Sequence, residues 1–179
     1  CVVLIFAYGH FYRFWTTQDE WRLSHLLLVI QQVLVGFFFI TRQAPTAVSW
    51  RPWDVVVALL GTFAPLFFSL ENKGDPKVLG FVLQMIGTGL SLYAIVSLGR
   101  SYGILPAHRA IQTRGAYRFL RHPLYAAYQI ANAGFLINHP GIHNLLVAGV
   151  CLLSQVLRIF AEERFFASST SAINIWHRR

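Results

Sequence analysis

The apolar residues of this chain fall into five long runs that are separated by short polar segments. The runs cover residues 23–40, 53–70, 78–98, 124–137 and 142–160, and the third has 21 positions without a charged side chain. A segment that crosses a bilayer must satisfy its own backbone hydrogen bonds, and a helix of about 20 apolar residues does so. The pattern therefore predicts five membrane-spanning helices.

Individual residues add detail to these predicted helices. Pro65 predicts a kink, because proline lacks the backbone N–H that continues a helix. Gly87 and Gly89 predict close packing between helices. Residues 1–11 predict the remaining part of an earlier span, and they lack the basic lead and the small-residue cleavage site of a secretory signal peptide. Interhelical hydrogen bonds are expected from Gln31, Gln32, Gln84 and Asn132.

The composition is that of an integral membrane protein. Of the 179 residues, 55% are hydrophobic and only 12% are charged. A soluble domain carries roughly a quarter charged residues, so this chain lacks the polar surface that a water-soluble globule needs. The predicted fold is an all-α integral membrane protein with about five transmembrane helices and a partial N-terminal span.

The formal net charge of +8 is distributed unevenly between the two predicted sides of the membrane. One side comprises residues 41–52, 99–122 and 161–179 and, with Arg158 at the membrane edge, holds 11 of the 15 basic residues. By the positive-inside rule this side is cytoplasmic, so the charge is expected to set topology and not to bind nucleic acid. The basic residues of this side are Arg42, Arg51, Arg100, Arg109, Arg114, Arg118, Arg121, Arg158, Arg164, Arg178 and Arg179.

The cysteine and histidine residues predict neither a disulfide framework nor a metal centre. Cys1 and Cys151 are far apart, and Cys151 lies within an apolar run. His139 and His143 are close in sequence, but they lie on the side opposite the basic loop and have no third ligand. We therefore expect no metal site.

Two polar clusters near helix ends are the candidates for chemistry, because polar groups at membrane depth usually serve a function. Residues 114–125 end in Arg-His-Pro-Leu-Tyr, and residues 158–163 place Arg158 and Glu162 on one helix face. The last two runs form a hairpin, which predicts both clusters on the same side of the membrane. The alternative is that both clusters only anchor helices, with Arg158 and Glu162 as a surface ion pair worth well under ~1 kcal/mol.

The two clusters resemble a known family. Residues 98–125 contain the pattern Gly-x-Tyr-x-x-x-Arg-His-Pro-x-Tyr, and residues 158–163 contain Arg-x-x-x-Glu-Glu. Together they resemble the isoprenylcysteine carboxyl methyltransferase family, and most closely its bacterial branch. The resemblance extends over the basic loop and the last two predicted spans. It implies a multi-span helical enzyme that binds S-adenosylmethionine.

The resemblance also implies roles for individual residues. Glu162 would hold the cofactor, Arg158 would face the reacting group of the substrate, and Arg121 would shape the pocket. Residues 99–179 would form the cofactor-binding loop, the last hairpin and a cytoplasmic tail, and residues 1–98 the other transmembrane helices, within one structural domain. The residues that would line the cofactor site are Ile111, Tyr117, His122, Pro123, Leu124 and Tyr125.

The chain departs from the family pattern in two places. Before the Gly-x-Tyr motif, Arg109, Ala110 and Gln112 match poorly. After Glu163 the family usually continues with a glycine and paired tyrosines, and residues 165–179 contain neither. The resemblance therefore does not predict how Arg109, Ala110 and Gln112 contribute to the cofactor site. It also does not predict the structure of residues 165–179.

We expect an integral membrane methyltransferase that depends on S-adenosylmethionine, in a bacterial inner membrane by resemblance, with an active site facing the cytoplasm. Its acceptor would be lipophilic or small: the carboxylate of a prenylated cysteine by resemblance, or a thiol, a small carboxylate or a lipid amine. Membrane sterol reductases carry a similar Arg-His-Pro-x-Tyr motif and use NADPH, so a reductase is one alternative. A non-catalytic membrane subunit that retains the fold is the other.

Overall fold

The structure is a computed structural model, and helices account for most of it. The described residues are 8, 12, 15, 22–41, 44, 47–69, 77–101, 103–105, 107–108 and 112–167. Their helices are α1 (Arg22–Thr41), α2 (Pro52–Phe63), α3 (Val78–Leu98), α4 (Pro123–Asn138) and α5 (Ile142–Ala167). Short 3₁₀ turns lie at Ala64–Phe67, Gly99–Ser101 and Gly115–Arg118, and the two-residue strands β1 (Ala47–Val48) and β2 (Ala107–His108) pair antiparallel.

Each of the five predicted apolar runs contains an α-helix, and two of the described helices are long and apolar enough to cross a membrane. These two cover Val78–Ser101 and Ile142–Phe165, at 24 residues each. Pro52–Phe67 is apolar but shorter, and α4 has 16 residues. The count of about five spans stays a prediction. The partial span predicted at residues 1–11 lies outside the described residues, apart from Tyr8.

A continuous apolar surface runs along α3. Val82, Ile86, Leu90 and Tyr93 recur every three or four residues and are 42%, 49%, 45% and 50% exposed. Helix α5 also has exposed apolar side chains along its length, ending at Phe160. Soluble monomers rarely expose apolar patches of this extent, so these faces are those expected of helices in contact with lipid.

The second predicted helix is shorter than its apolar run. The sequence predicts one kinked helix over residues 53–70, whereas α2 ends at Phe63 and Ala64–Phe67 form a 3₁₀ turn. Pro65 has no N–H to donate to the preceding turn, so the α-helix does not continue past it. The α-helix therefore ends at Phe63 where a kink at Pro65 is predicted, and the continuous α-helix beyond Phe63 is wrong.

The chain divides into two compact units. Helices α1, α3 and α4 and the turn Gly115–Arg118 belong to the first unit. Helices α2 and α5, the 3₁₀ turn that follows α2 and the two short strands belong to the second. The two candidate clusters are therefore described in separate units, the Arg-His-Pro-x-Tyr segment in the first and the end of α5 in the second.

In the first unit, α3 and α4 pack closely because glycines lie at their contact. A Cβ atom added at Gly87 would collide with the backbone of Ala131, and one added at Gly134 would lie 2.5 Å from the backbone nitrogen of Gln84. No atom of the described residues lies within 4 Å of a Cβ added at Gly89. The predicted packing role is confirmed for Gly87, and no packing partner of Gly89 is found among the described residues.

Polar side chains within the helices of the first unit do not all behave as predicted. Ser91 Oγ donates a 2.8 Å hydrogen bond to Gln31 Oε1, which links α3 to α1 and confirms the interhelical bond predicted for Gln31. Gln84 Oε1 and Asn132 Nδ2 are buried and have no hydrogen-bond partner in the part of the chain that the structure describes. The bonds predicted for these two atoms are therefore not found among the described residues.

Asparagine side chains hold loop backbone at helix ends in each unit. In the first unit, Asn138 Oδ1 at the end of α4 accepts a 3.0 Å hydrogen bond from Lys77 N, just before α3. In the second, Asn144 accepts from Ser69 N and donates to Ser69 O, both at 2.9 Å. Backbone groups next to a helix need such partners where water is scarce. The two asparagines thereby fix where neighbouring segments join their helices.

Replacing Gly87 by alanine is expected to lower the Tm of the purified protein, because the new methyl group meets the backbone of α4. Gly89→Ala, two residues away on the same helix, is the matched control. It should leave the Tm unchanged or raise it, since alanine favours a helix over glycine by about 1 kcal/mol. Thermal unfolding in one detergent compares the two, and equal stability of both variants would contradict the packing.

Candidate functional site

The segment that leads into α4 is built on a turn that needs a glycine. Gly115 has a φ of 59°, a left-handed conformation that strains any other residue. A Cβ atom here would also collide with the side chain of Ser97 in α3. Ser97 Oγ accepts a 3.2 Å hydrogen bond from Ala116 N and donates a 2.7 Å bond to Tyr93 O. The glycine of the Gly-x-Tyr motif therefore allows the turn to contact the end of α3.

Tyr117, two residues further on, packs against the core of the first unit. That core consists of Ala94, Ile95, Ala116 and Leu124, and the Tyr117 side chain is half-buried beside it. Leu124 is only 8% exposed. The packing holds the Tyr117 ring in place, whereas Leu124 contributes mainly to the core.

The start of α4 presents an aromatic surface. Pro123 is the first helical residue, a position where its missing N–H is not needed, and His122 precedes it as the N-cap. The rings of His122 and Tyr125 stack with their centroids 5.7 Å apart and their planes 18° apart. His122 and Tyr125 are half-buried, Pro123 is buried and Arg121 is exposed. Helix initiation at Pro123 thus orients both rings of the Arg-His-Pro-x-Tyr motif.

In the second unit, Arg158 and Glu162 lie on one face of α5, as their spacing predicts. Nη2 of Arg158 is 3.9 Å from Oε1 of Glu162, and the two side chains are 11% and 20% exposed. The same Nη2 donates a 2.8 Å hydrogen bond to the carbonyl oxygen of Ile104. The alternative of a surface ion pair is therefore wrong, because the pair is largely buried and the arginine is fixed by a backbone contact.

Helix α2 leaves space for the Arg158 side chain. A Cβ atom added at Gly61 would lie 3.2 Å from Ser154 Oγ and 3.3 Å from Arg158 Cδ. Sequence reasoning did not identify Gly61, which lies in an apolar run, or Ile104, which acts through its backbone. The small size of Gly61 is the feature of the sequence that is compatible with close helix packing, but size does not predict which helix the residue contacts.

A second charged contact joins α2 to α5. Asp54, in the first turn of α2, is 2% exposed. Its carboxylate accepts hydrogen bonds from Ser49 Oγ and, at 2.7 Å, from Arg164 Nη2. Asp54 and Arg164 are 110 positions apart, so no sequence spacing pairs them. This contact fixes the end of the helix that carries Arg158 and Glu162.

One predicted site residue, Ile111, lies outside the described residues, as do Arg109 and Ala110. Gln112 is described, and its Nε2 donates a 3.1 Å hydrogen bond to Ser101 Oγ. The first unit contains the predicted residues Tyr117, Arg121, His122, Pro123, Leu124 and Tyr125, and the second contains Arg158 and Glu162.

A sequence model of the phospholipid methyltransferase family matches residues 76–169, just over half of the chain. The chain belongs to this family. The matched residues include helices α3, α4 and α5 and therefore both candidate clusters. No curated protein and no solved structure matches the chain.

Membership of the phospholipid methyltransferase family implies that the protein is a membrane methyltransferase. It agrees with the resemblance to the isoprenylcysteine carboxyl methyltransferases and with the two helices of membrane-spanning length. Helices α1 and α2 lie before the matched residues. Gly61 and Asp54 therefore lie outside the matched residues. Only the structure shows that they contact α5, the helix that carries Arg158 and Glu162.

Gly115→Ala is expected to destabilise the protein by at least about 1 kcal/mol, because alanine is strained at positive φ and its methyl group meets Ser97. The matched control is Gly149→Ala in α5, where no atom in the part of the chain that the structure describes lies within 4 Å of the added Cβ. Thermal unfolding of both variants measures the difference. A Gly115→Ala protein as stable as the control would show that the turn tolerates a side chain.

Proposed function

We propose that the protein transfers a methyl group from S-adenosylmethionine to a lipophilic or small acceptor at the membrane surface. The observation that supports this most is the family match, since it includes the Arg-His-Pro-x-Tyr start of α4 and the Arg158–Glu162 pair of α5. Methyltransferases of this family generally use S-adenosylmethionine. The match favours methyl transfer over the NADPH-dependent reductase and the non-catalytic subunit.

The residues present fit this donor. S-adenosylmethionine has a positive sulfonium, an ammonium group and a planar aromatic adenine. Glu162 supplies a partly exposed carboxylate that can bind a cation. His122 and Tyr125 supply stacked aromatic rings, on which a planar group can pack. The proposed cofactor-binding residues are Ile111, Tyr117, His122, Pro123, Leu124, Tyr125 and Glu162.

The proposed chemistry needs orientation more than a strong acid or base. Bound S-adenosylmethionine supplies a methyl group that its sulfonium already activates for in-line displacement. The protein has to align the acceptor and keep water away from it. Arg158 is proposed to hold an anionic acceptor, because a guanidinium binds carboxylates well and the bond to Ile104 sets its orientation. Arg121 is proposed to shape the pocket.

The acceptor is proposed to reach the enzyme from the bilayer. The exposed apolar faces of α3 and α5 are the surfaces that acyl or prenyl chains would meet. Candidate acceptor groups are the carboxylate of a prenylated cysteine, a thiol, a small carboxylate and a lipid amine. A lipid amine agrees with the description of the family as phospholipid methyltransferases.

We further propose that all five helical runs cross the membrane, with the basic side in the cytoplasm of a bacterial cell. The excess of arginine in residues 41–52, 99–122 and 161–179 supports this orientation. The Arg-His-Pro-x-Tyr segment and the end of α5 would then both be accessible from the cytoplasm, where S-adenosylmethionine is made.

Glu162→Gln is expected to weaken binding of S-adenosylmethionine by about 10- to 100-fold, the range for losing one hydrogen bond to a charged group. Calorimetric titration of detergent-purified protein with S-adenosylmethionine, and with its demethylated product, measures the change. Glu163→Gln is the matched control, because it removes the same charge from the exposed neighbouring position.

Two outcomes of this titration would count against the proposal. Equal affinities of the Glu162→Gln and Glu163→Gln variants would remove Glu162 from the cofactor site. A folded wild-type protein that does not bind S-adenosylmethionine would overturn the proposed function. A rise in Tm with NADPH would then favour the reductase, and no response to either would favour the subunit.

Arg158→Ala is expected to lower kcat by about a hundredfold while changing the KM for S-adenosylmethionine less than threefold, because the guanidinium is proposed to hold the acceptor. Arg158→Lys should recover part of the rate, since it keeps the charge but not the planar fork. Steady-state assays use a prenylated cysteine, an alkyl thiol and phosphatidylethanolamine as acceptors. Equal losses in kcat and in donor affinity would contradict the substrate role.

A further inference from the structure

A pocket outside the family motifs lies beside the Asp54–Arg164 ion pair in the second unit. It has a volume of about 290 Å³ and is lined by Ser49, Trp50, Arg51, Asp54, Arg164 and Phe165. Its walls come from the segment before α2, the first turn of α2 and the last turns of α5. None of these residues belongs to the proposed methyl-transfer site.

The charges in this pocket favour an anion. Asp54 is the acidic residue in the lining, and its carboxylate already accepts hydrogen bonds from Ser49 and Arg164. Arg164 balances the charge of Asp54 and keeps a half-exposed side chain, 53% accessible. Arg51 is exposed, and its guanidinium has no ion-pair partner among the described residues. The lining therefore carries one positive charge in excess.

The position of the pocket indicates where that anion comes from. Trp50, 74% exposed, and Phe165 place aromatic rings at the ends of apolar helices, as at a membrane–water boundary. Arg51 is the N-cap of α2, where the helix dipole also favours negative charge. At such a boundary a phospholipid places its phosphate, with its acyl chains beside apolar helix faces.

We propose that this pocket binds the phosphate group of a membrane phospholipid. Arginine pairs suit phosphate because their planar donors match its oxygens. Arg51 and the exposed part of Arg164 are the phosphate ligands, and Trp50 packs against the glycerol region of the lipid. Binding at this site needs no methyl donor, so it is independent of the proposed catalytic function.

Trp50 provides a direct test in detergent-purified protein. Brominated phosphatidylglycerol is titrated, and the fluorescence assigned to Trp50 is the difference between wild type and Trp50→Phe. This signal is expected to be quenched saturably by the phospholipid and at least tenfold less effectively by brominated diacylglycerol, which has the same chains without phosphate. Equal quenching by both lipids would overturn the proposal.

The arginine variants test the phosphate ligand. Arg51→Gln is expected to weaken the quenching by phosphatidylglycerol about tenfold, whereas Arg118→Gln, which removes an exposed arginine elsewhere, should change it less than twofold. Arg51 is used because it is exposed and takes no part in the Asp54–Arg164 pair, so its replacement leaves the fold intact. Equal effects of the two variants would overturn the site.

Two further measurements complete the test. One distinguishes a lipid phosphate from free phosphate, and the other distinguishes lipid binding from the proposed methyl transfer. Inorganic phosphate at millimolar concentration is expected not to displace the lipid; if it does, the site takes free phosphate and the lipid assignment is wrong. Glu162→Gln should bind phosphatidylglycerol like wild type, even if it loses S-adenosylmethionine. Loss of lipid binding in Glu162→Gln would show that the pocket is not independent of the catalytic site.

Discussion

Burying a charged group among apolar helices is costly unless the group has a partner, and the contacts of Asp54 and Arg158 meet that constraint. In the second unit, the carboxylate of Asp54 is bound by Ser49 and Arg164, and the guanidinium of Arg158 is bound by the carbonyl of Ile104. The contacts of Asp54 with Arg164 and of Arg158 with Ile104 join parts of the chain that are 110 and 54 positions apart. The buried charges therefore hold the end of α5 at the place where chemistry is proposed.

In the first unit, the close contact between helices depends on small residues. Gly87 and Gly134 let α3 and α4 approach until their backbones touch, which excludes larger groups from the contact. At the end of α3, Ser97 binds the backbone of the turn that begins at Gly115. The position of Tyr117 and of the following motif thus depends on the packing of α3, and not on the loop alone.

Sequence reasoning succeeded where one physical requirement acts locally. Long apolar runs become helices because a helix satisfies the backbone hydrogen bonds within one segment. It failed where a residue has to be assigned to a helix face: Gly87 and Gly89 look alike in the sequence, and only Gly87 faces α4. It also extended α2 too far, because apolarity continues beyond Pro65 while the α-helix does not.

By itself, the sequence determined the membrane class of the protein, the positions of its helices apart from the end of α2, the motifs that place it in a methyltransferase family and the i, i+4 spacing of Arg158 and Glu162. Only the tertiary structure decided that Arg158 is buried against Ile104 and that Asp54 pairs with Arg164. The reason is physical. Periodicity along a chain reports the contacts within a helix, whereas these partners are 54 and 110 positions apart and meet only when helices pack.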